Sequence, residues 1–327
     1  MNIYDIAARC GVSIATVSRV LNNSPRVRPQ TRERVLAVMQ EENYTPSALA
    51  RGLGGGSMHM AGILCRDIRD SFQAAAVACL EEYLRQRGMP VLLRCVGSEP
   101  QDEQQAMESL LQQGAEVLIL IGAACDEQEA ACVEAASAHV PIILLGAALS
   151  IKGVYGITAD ERGAVRELTQ LLFRRQRRQI LFLYDGDTYS CREKLAGYRE
   201  AYENSHCPPD PQRMVAVERE PEAVNACVKQ LLVKRVSFDA VIATEDAIAL
   251  GAQKALQRIG LTMPVIGFHN SLLARCAIPE LTSVDTRVED LCAAAIDVME
   301  AVLDKKEAPS RTVIPTKLIE RDTFRVN

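Results

Sequence analysis

The sequence predicts two fold classes in one chain: an all-α helix-turn-helix head and an α/β body made of two doubly wound parallel-sheet lobes. Three observations carry this. Asn2 to Asn23 (NIYDIAARCGVSIATVSRVLNN) shows two helical apolar patterns broken at Gly11-Val12. From Met60 onward, short apolar runs alternate with stretches of helical spacing. The runs are too continuous to have a wet face and too numerous for one compact sheet, which argues for parallel sheets covered on both sides and split between two lobes. The expected division is a head over 1–46, a short helix and glycine linker over 47–59, and a body over 60–327. Lobe one is expected at about 60–158 plus 286–316, and lobe two at about 159–285 plus 317–327.

In the head, Ile3, Ile6, Ala7 and Cys10 share one helical face, and Ala15, Thr16, Val17, Val20 and Leu21 form a second pattern. A tight turn between two such helices holds the second one out, so that its leading residues can enter a DNA major groove. Ser13 is placed to cap that helix. Asn22-Asn23-Ser24-Pro25 is turn chemistry, and Pro29 starts a third helix whose Val35, Leu36, Val38 and Met39 are expected to close a small core with Ile6, Val17 and Leu21. Tyr44 and Pro46 end it. Ser47 to Leu53 is long enough for two helical turns, but so short a helix containing Gly52 is marginal unless something holds it. Gly54-Gly55-Gly56-Ser57 is a flexible joint. It does not fit a dinucleotide loop, since no strand precedes it and no helix opens on it.

Eight strands are expected in the body: 61–65, 90–96, 116–122, 141–146, 179–184, 214–217, 239–244 and 264–268. Helical spacing marks Ala74 to Arg87, Gln101 to Gln113 and Ala247 to Arg258 between them. At the end, Leu281 to Asp285 reads as a strand or crossover, Val288 to Leu303 as an amphipathic helix, and Thr312 to Ile314 and Lys317 to Ile319 as extended pieces. A chain that passes back between two lobes produces such elements, and the lobes meet near Thr158 to Asp160. Open parallel sheets bind ligands outside the carboxyl ends of their strands, which points to the cleft between the lobes.

Composition bounds the chemistry. The chain has 327 residues and a net charge of −5, yet residues 1–57 hold seven arginines, no lysine and four acids, a balance of +3 that leaves −8 on the rest. A basic head on an acidic body fits phosphate binding confined to the head. The run Arg174, Arg175, Arg177, Arg178 reads as a solvated helix end, where cations are favoured, ahead of a second nucleic-acid site. No stretch reaches the roughly 18 apolar residues of a membrane helix, and no signal-peptide core is present. A cytoplasmic location is therefore expected. The 11 cysteines are odd in number, scattered and without a C-x-x-C pair, so they read as reduced, mostly buried thiols. His59, His139, His206 and His269 show no metal-ligand spacing, and neither a metal nor a cofactor is expected. An enzyme is not expected either, in the absence of G-x-S-x-G, a P-loop, H-E-x-x-H or a dinucleotide fingerprint.

These residues resemble a known family over essentially the whole chain. YDIAARCGVSIATVSRVLNN, the T-R-E-R-V helix and YTPSALARGL are similar to the DNA-binding head of the lactose-repressor (LacI/GalR) family of bacterial transcription regulators. DAVIATEDAIALGAQKAL, VIGFHN and PELTSVDT resemble that family's effector-binding body, which is similar to periplasmic sugar-binding proteins. The resemblance implies a homodimer whose two heads read a near-palindromic double-stranded operator. It places Ile14, Ala15 and Arg19 on base edges, with arginine offering the bidentate donors that distinguish guanine. Thr16, Ser18, Asn22 and Thr31 would hold phosphates. Ser47 to Leu53 matches the family's hinge helix, with Leu53 wedged into a minor-groove step and Ala50 lining the groove.

For the body, the resemblance implies an effector site at Asp70, Phe72, Gln73, Tyr189, Lys194, Asp246 and His269. Several positions depart from the family pattern. Lys194-Leu-Ala-Gly-Tyr198 stands where members have R-x-x-G-F, so a planar fork is replaced by a point charge. Gly267-Phe-His-Asn270 stands for G-F-D-D, exchanging an acid for His269, and Asp70-Ser-Phe-Gln73 stands for N-P-F-F. Asp246 matches the family acid and equally suits a helix N-cap. The expected function is a DNA-binding transcriptional regulator, a repressor, switched by a small sugar-like metabolite. The lost acid beside Lys194 and His269 points to an acidic or phosphorylated one. The alternative is a regulator whose degenerate pocket leaves control to a protein partner or to abundance.

Overall fold

The chain is described by a computed structural model covering residues 3–21, 24, 26–42, 60–97 and 100–325. Asn22, Ala50 and Leu53, and the whole Ser47 to Leu53 segment, lie outside the described residues. The head is three helices, α1 Ile3–Cys10, α2 Ile14–Leu21 and α3 Pro29–Glu41. Gly11 takes a φ of +60°, which turns the chain between the first two. Ile6, Ala7, Cys10, Val17, Val20, Val35 and Met39 make the core, with Leu21 and Val38 against it. Leu36, expected inside, is 47% exposed, because its neighbours Val35 and Met39 already take the buried stripe.

In the body the elements run β1 Ala61–Cys65, α4 Ser71–Gln86, β2 Val91–Cys95, α5 Pro100–Gln112, β3 Val117–Ile121, α6 Glu127–Ser137, β4 Ile142–Leu145 and β5 Val154–Ala159. Then come α7 Glu161–Arg174, β6 Ile180–Tyr184, α8 Tyr189–Glu203, β7 Met214–Ala216, α9 Pro221–Val233, β8 Ala240–Ala243, α10 Asp246–Arg258 and β9 Val265–Phe268. The chain ends with α11 Leu272–Cys276, β10 Thr282–Asp285, α12 Val288–Leu303, β11 Arg311–Ile314 and β12 Lys317–Ile319. All eight strands expected from the apolar runs are present. β5 is the addition, and its mixed sequence VYGITA explains why it gave no continuous run. Gly156 in it lies so close to Ala148 that a Cβ would stand 2.7 Å from the alanine methyl.

Two six-stranded sheets result, in the orders β11-β5-β4-β3-β1-β2 and β12-β10-β9-β8-β6-β7. Every pairing is parallel except β10 with β12. Helices cover both faces of each sheet. In lobe one α4 and α12 bury one face around Leu80, Ile119 and Ile296, and α5 and α6 bury the other around Leu110, Leu118 and Val133. In lobe two α9 and α10 pack around Val228, Val241 and Leu256, with α7 and α8 opposite around Leu172, Phe182 and Tyr198. Burial on two faces is why β1, β3 and β4 read as unbroken apolar runs. The chain crosses between lobes three times, after β5, after β10 and between β11 and β12, and these crossings make the floor of the cleft.

Gly197 sets the closest helix contact. A Cβ there would stand 2.2 Å from the backbone oxygen of Arg162, so α7 and α8 touch through it. Gly197→Ala is expected to lower stability by about 1–3 kcal/mol, seen as a fall in the urea midpoint at unchanged slope; an unchanged midpoint would show that the helices separate freely.

Candidate functional site

Two regions carry chemistry. The first is the exposed face of α2. Ser13 caps the helix, its Oγ accepting from Thr16 N at 3.3 Å and lying 2.9 Å from Thr16 Oγ1. Ile14, Ala15 and Arg19 are exposed, while Val17 and Val20 are in the core, so the three residues form one solvent-facing patch. Thr16 and Thr31 are half-buried beside it. Ser18 is buried, and its hydroxyl has no hydrogen-bond partner within the described residues.

The second is the cleft at the carboxyl ends of the strands. It holds a small inner cavity of about 50 Å³ and an open outer one of about 840 Å³. Of the expected effector residues, Asp70, Phe72, Gln73 and His269 line the inner cavity, and Tyr189, Lys194 and Asp246 do not. Tyr189 instead receives a bond from Arg311 on its hydroxyl, at 3.2 Å. Asp246 is 1% exposed, and its carboxylate is taken by Ser271 N at 2.7 Å, Ser271 Oγ at 2.8 Å and Ser283 Oγ at 2.6 Å. It ties β10 and the start of α11 to α10. Burial nonetheless pushes its pKa up, against the pull of those bonds.

Lys194 on α8 is 2% exposed. Its ammonium meets Glu161 Oε1 at 3.0 Å, the Thr244 carbonyl at 3.0 Å and His269 Nε2 at 3.2 Å, over the Phe268 ring. Three protons therefore have three acceptors, and none is left for a ligand. Burial acts against the ammonium, but Glu161 and Glu245 more than offset it and raise its pKa. Since Lys194 donates to Nε2, His269 carries its proton on Nδ1 and donates to Thr286 Oγ1 at 3.0 Å. Burial, with Lys194 and Arg219 nearby, drives the His269 pKa well down, so the ring is neutral. Its φ of +83° and the +47° of Asn270 turn the chain sharply after β9, a strained geometry that aims the ring into the cleft beside Phe72, at 4.9 Å between centroids.

Arg219, Glu245, Asp185, Glu161 and Thr286 were not anticipated. Arg219 projects from the segment between β7 and α9 and pairs with Asp70 of lobe one and with Asp185 and Glu245 of lobe two. Among the described residues it makes the ion pair across the cleft. Nothing periodic marks it in VERE. Glu245 was flanked by the family segment, and Glu161 follows the crossover residues, so those two had a positional signal. Burial, then Asp70 and Asp185 against the relief of Arg219 and Lys194, push the Glu245 pKa well above the usual carboxylate range.

A further cluster lies in lobe one. Arg66 sits 3.4 Å from both Glu103 and Glu129, the Glu129 Oε1 has no hydrogen-bond partner among the described residues, and burial together with Glu129 raises Glu103 from the ordinary 4.5 to about 8. The folded chain thus keeps a proton that the unfolded chain has lost, and stability falls as pH rises from 4.5 through about 8. Glu103→Gln is expected to flatten that slope in urea midpoints taken across the window. For the cleft, Lys194→Met strands Glu161 and should cost about 3–5 kcal/mol, with partial recovery in Lys194→Met/Glu161→Gln; no loss in the single variant would refute the assigned pairing.

Comparison with known proteins accords with this arrangement. Residues 2–47 match the model described as bacterial regulatory proteins, lacI family, and residues 58–322 match periplasmic binding proteins and sugar binding domain of LacI family. A protein of Lachnoclostridium phytofermentans named as an HTH-type transcriptional regulator is 37% identical over 99% of both chains. The lac repressor dimer bound to operator and the anti-inducer ONPF superposes with a TM-score of 0.86 at 26% identity, over 99% of this chain and 98% of that one. A transcriptional regulator CelR in complex with cellobiose superposes at 0.72 and 25% identity, over 99% of this chain and 100% of that one. No described helix is long and apolar enough to cross a membrane. The head, the two-lobed body and the sequence match over nearly its full length make this chain a member of the LacI family of bacterial regulatory proteins.

Proposed function

We infer that the chain is a homodimeric repressor that binds a near-palindromic operator and releases or tightens its grip when a small metabolite enters the cleft between the lobes. The observation that carries the DNA half is the outward face of α2, on which Ile14, Ala15 and Arg19 stand clear of a core that takes Val17 and Val20. Arg19 supplies base-edge donors, and Ile14 and Ala15 supply shape and methyl contacts. Thr16 and Thr31, half-buried, keep the phosphate role that the resemblance implies; Ser18 shares that expectation, but its hydroxyl is buried in the head as it stands. Asn22, Ala50 and Leu53 keep the phosphate, groove-lining and wedge roles that the resemblance implies. The lac repressor's operator complex supports the same docking.

The switching half follows from differential affinity, since a ligand shifts the lobes only as far as it prefers one arrangement to the other. The cellobiose complex of the related regulator supports a sugar-like class. The acidic or phosphorylated character expected from Lys194 and His269 is withdrawn. Lys194 is fully neutralised, His269 is uncharged, and Asp70, Glu161, Asp185 and Glu245 outnumber the two cations. Control by a partner protein or by abundance has one observation in its favour, the small volume of the inner cavity.

Footprinting on DNA upstream of this gene and its neighbours should show a protected near-palindrome, and none with any metabolite pool would sink the operator reading. Arg19→Ala should cost about 1–3 kcal/mol and relax preference at one base position. Leu53→Ala should lower operator bending, and unchanged bending and affinity would remove the wedge. Melting temperature raised by a metabolite pool supports the switch, whereas a flat response favours partner or abundance control.

A further inference from the structure

The carboxylates around Arg219 are held in place without it. Asp70 Oδ1 caps α4 by accepting from Gln73 N at 2.9 Å, and Asp185 Oδ1 accepts from Thr244 Oγ1 at 2.9 Å. Each acid thus presents its second oxygen, Oδ2, to the guanidinium. Glu245 approaches the same group at 3.6 Å. This is a preformed cation subsite with one oxygen from lobe one and the others from lobe two. Three acids surround one cation, and burial together with the neighbouring Asp70 pushes the Glu245 pKa well above the usual carboxylate range.

Arg219 is also the more accessible of the two cations there. Lys194 is enclosed with all its protons in use, but the Arg219 side chain is 31% exposed, comes from a connecting segment and lines the outer cavity as well as the inner one. That outer cavity is lined by Arg66 and Arg69 as well as by acids; Asp67 is paired with Arg69 and Asp187 with Arg192, and Asp126 and Glu218 stand on the same wall. A guanidinium that swings outward keeps company with carboxylates. Asp70 and Asp185 are then left facing each other across the cleft with no counter-charge, which a neutral ligand does not cure and an anionic one worsens. Beside them stand the Phe72 and neutral His269 rings, faces suited to a sugar-like frame.

We propose that the cleft takes a ligand bearing an amino or guanidino group on a polyhydroxylated frame, and that Arg219 is a tethered stand-in which occupies the cationic subsite until that ligand displaces it. The proposal rests on the metabolite-switched reading above and narrows it to one sign of charge. Binding then exchanges one cation for another between the same carboxylates, so the lobes need not separate an unpaired buried charge at any stage.

The test is chemical rescue in the full chain. Arg219→Ala vacates the subsite, and millimolar ethylguanidinium chloride is the probe. The melting temperature of Arg219→Ala should rise by about 3 °C at a probe concentration near tenfold its dissociation constant, relative to sodium chloride at equal ionic strength. Arg219→Ala/Asp70→Asn should not respond. If Arg219→Ala fails to fold, Arg219→Gln keeps the stem packed and is read in the same way with methylammonium chloride. An equal response to sodium chloride and to the organic cation, or an equal response with Asp70 neutralised, overturns the proposal. Operator affinity by fluorescence anisotropy separates the two readings. Rescue of melting with operator affinity unchanged leaves the cation subsite standing and removes the switch. Absence of rescue alongside a melting response to cellobiose leaves the switch standing and removes the cation.

Discussion

An ammonium group without water must give all three of its protons to the protein, and the floor of the cleft is arranged around that demand. Lys194 draws Glu161 from the first turn of α7, the Thr244 carbonyl from the end of β8 and His269 from the turn after β9. Each acceptor comes from a different element, so the ends of lobe two are registered against one nitrogen. A buried pair of this kind adds little net stability compared with apolar packing, because desolvation consumes most of the attraction. What it supplies is uniqueness, since losing any one acceptor leaves a charge in the core. It also fixes the His269 tautomer and so determines what the cleft wall can donate.

The ion pair across the cleft has the opposite character. Arg219 joins the lobes through a half-buried side chain on a connecting segment, whereas Lys194 is enclosed within lobe two. The lobes are also joined by Tyr189 N donating to the Ala123 carbonyl, by Arg192 donating to the Ala124 carbonyl and by the Phe72–His269 ring contact, so a few polar and aromatic contacts span the cleft beside the three crossovers.

How much of this was legible in the sequence follows from the range of each interaction. The sheet strands were legible because burial on both faces writes an apolar run into consecutive residues, and β5 was not, since Tyr155 and Gly156 interrupt its run. The head was legible from its motif, but Leu36 was misplaced because a helix of this length has more apolar positions than its core can take. In the cleft, the resemblance pointed to Asp70, Phe72, Gln73 and His269, which line the inner cavity, and to Tyr189, Lys194 and Asp246, which do not; the charges of Lys194 and Asp246 are taken up by partners far away in sequence, Glu161 and Thr244 in one case and Ser283 in the other. Arg219 was invisible for the same reason, since its partners at Asp70 and Asp185 are joined to it only by the fold.

The closing segment of the chain has a consequence for how the protein is made. β11 completes the sheet of lobe one and β12 that of lobe two, while α12 covers one face of the first sheet. On the ribosome the head is finished before the body begins, yet the first lobe stays uncapped until Arg311–Ile314 has emerged, after nearly all of the second. The cleft between the lobes is therefore complete only once β11 and β12 have followed the second lobe.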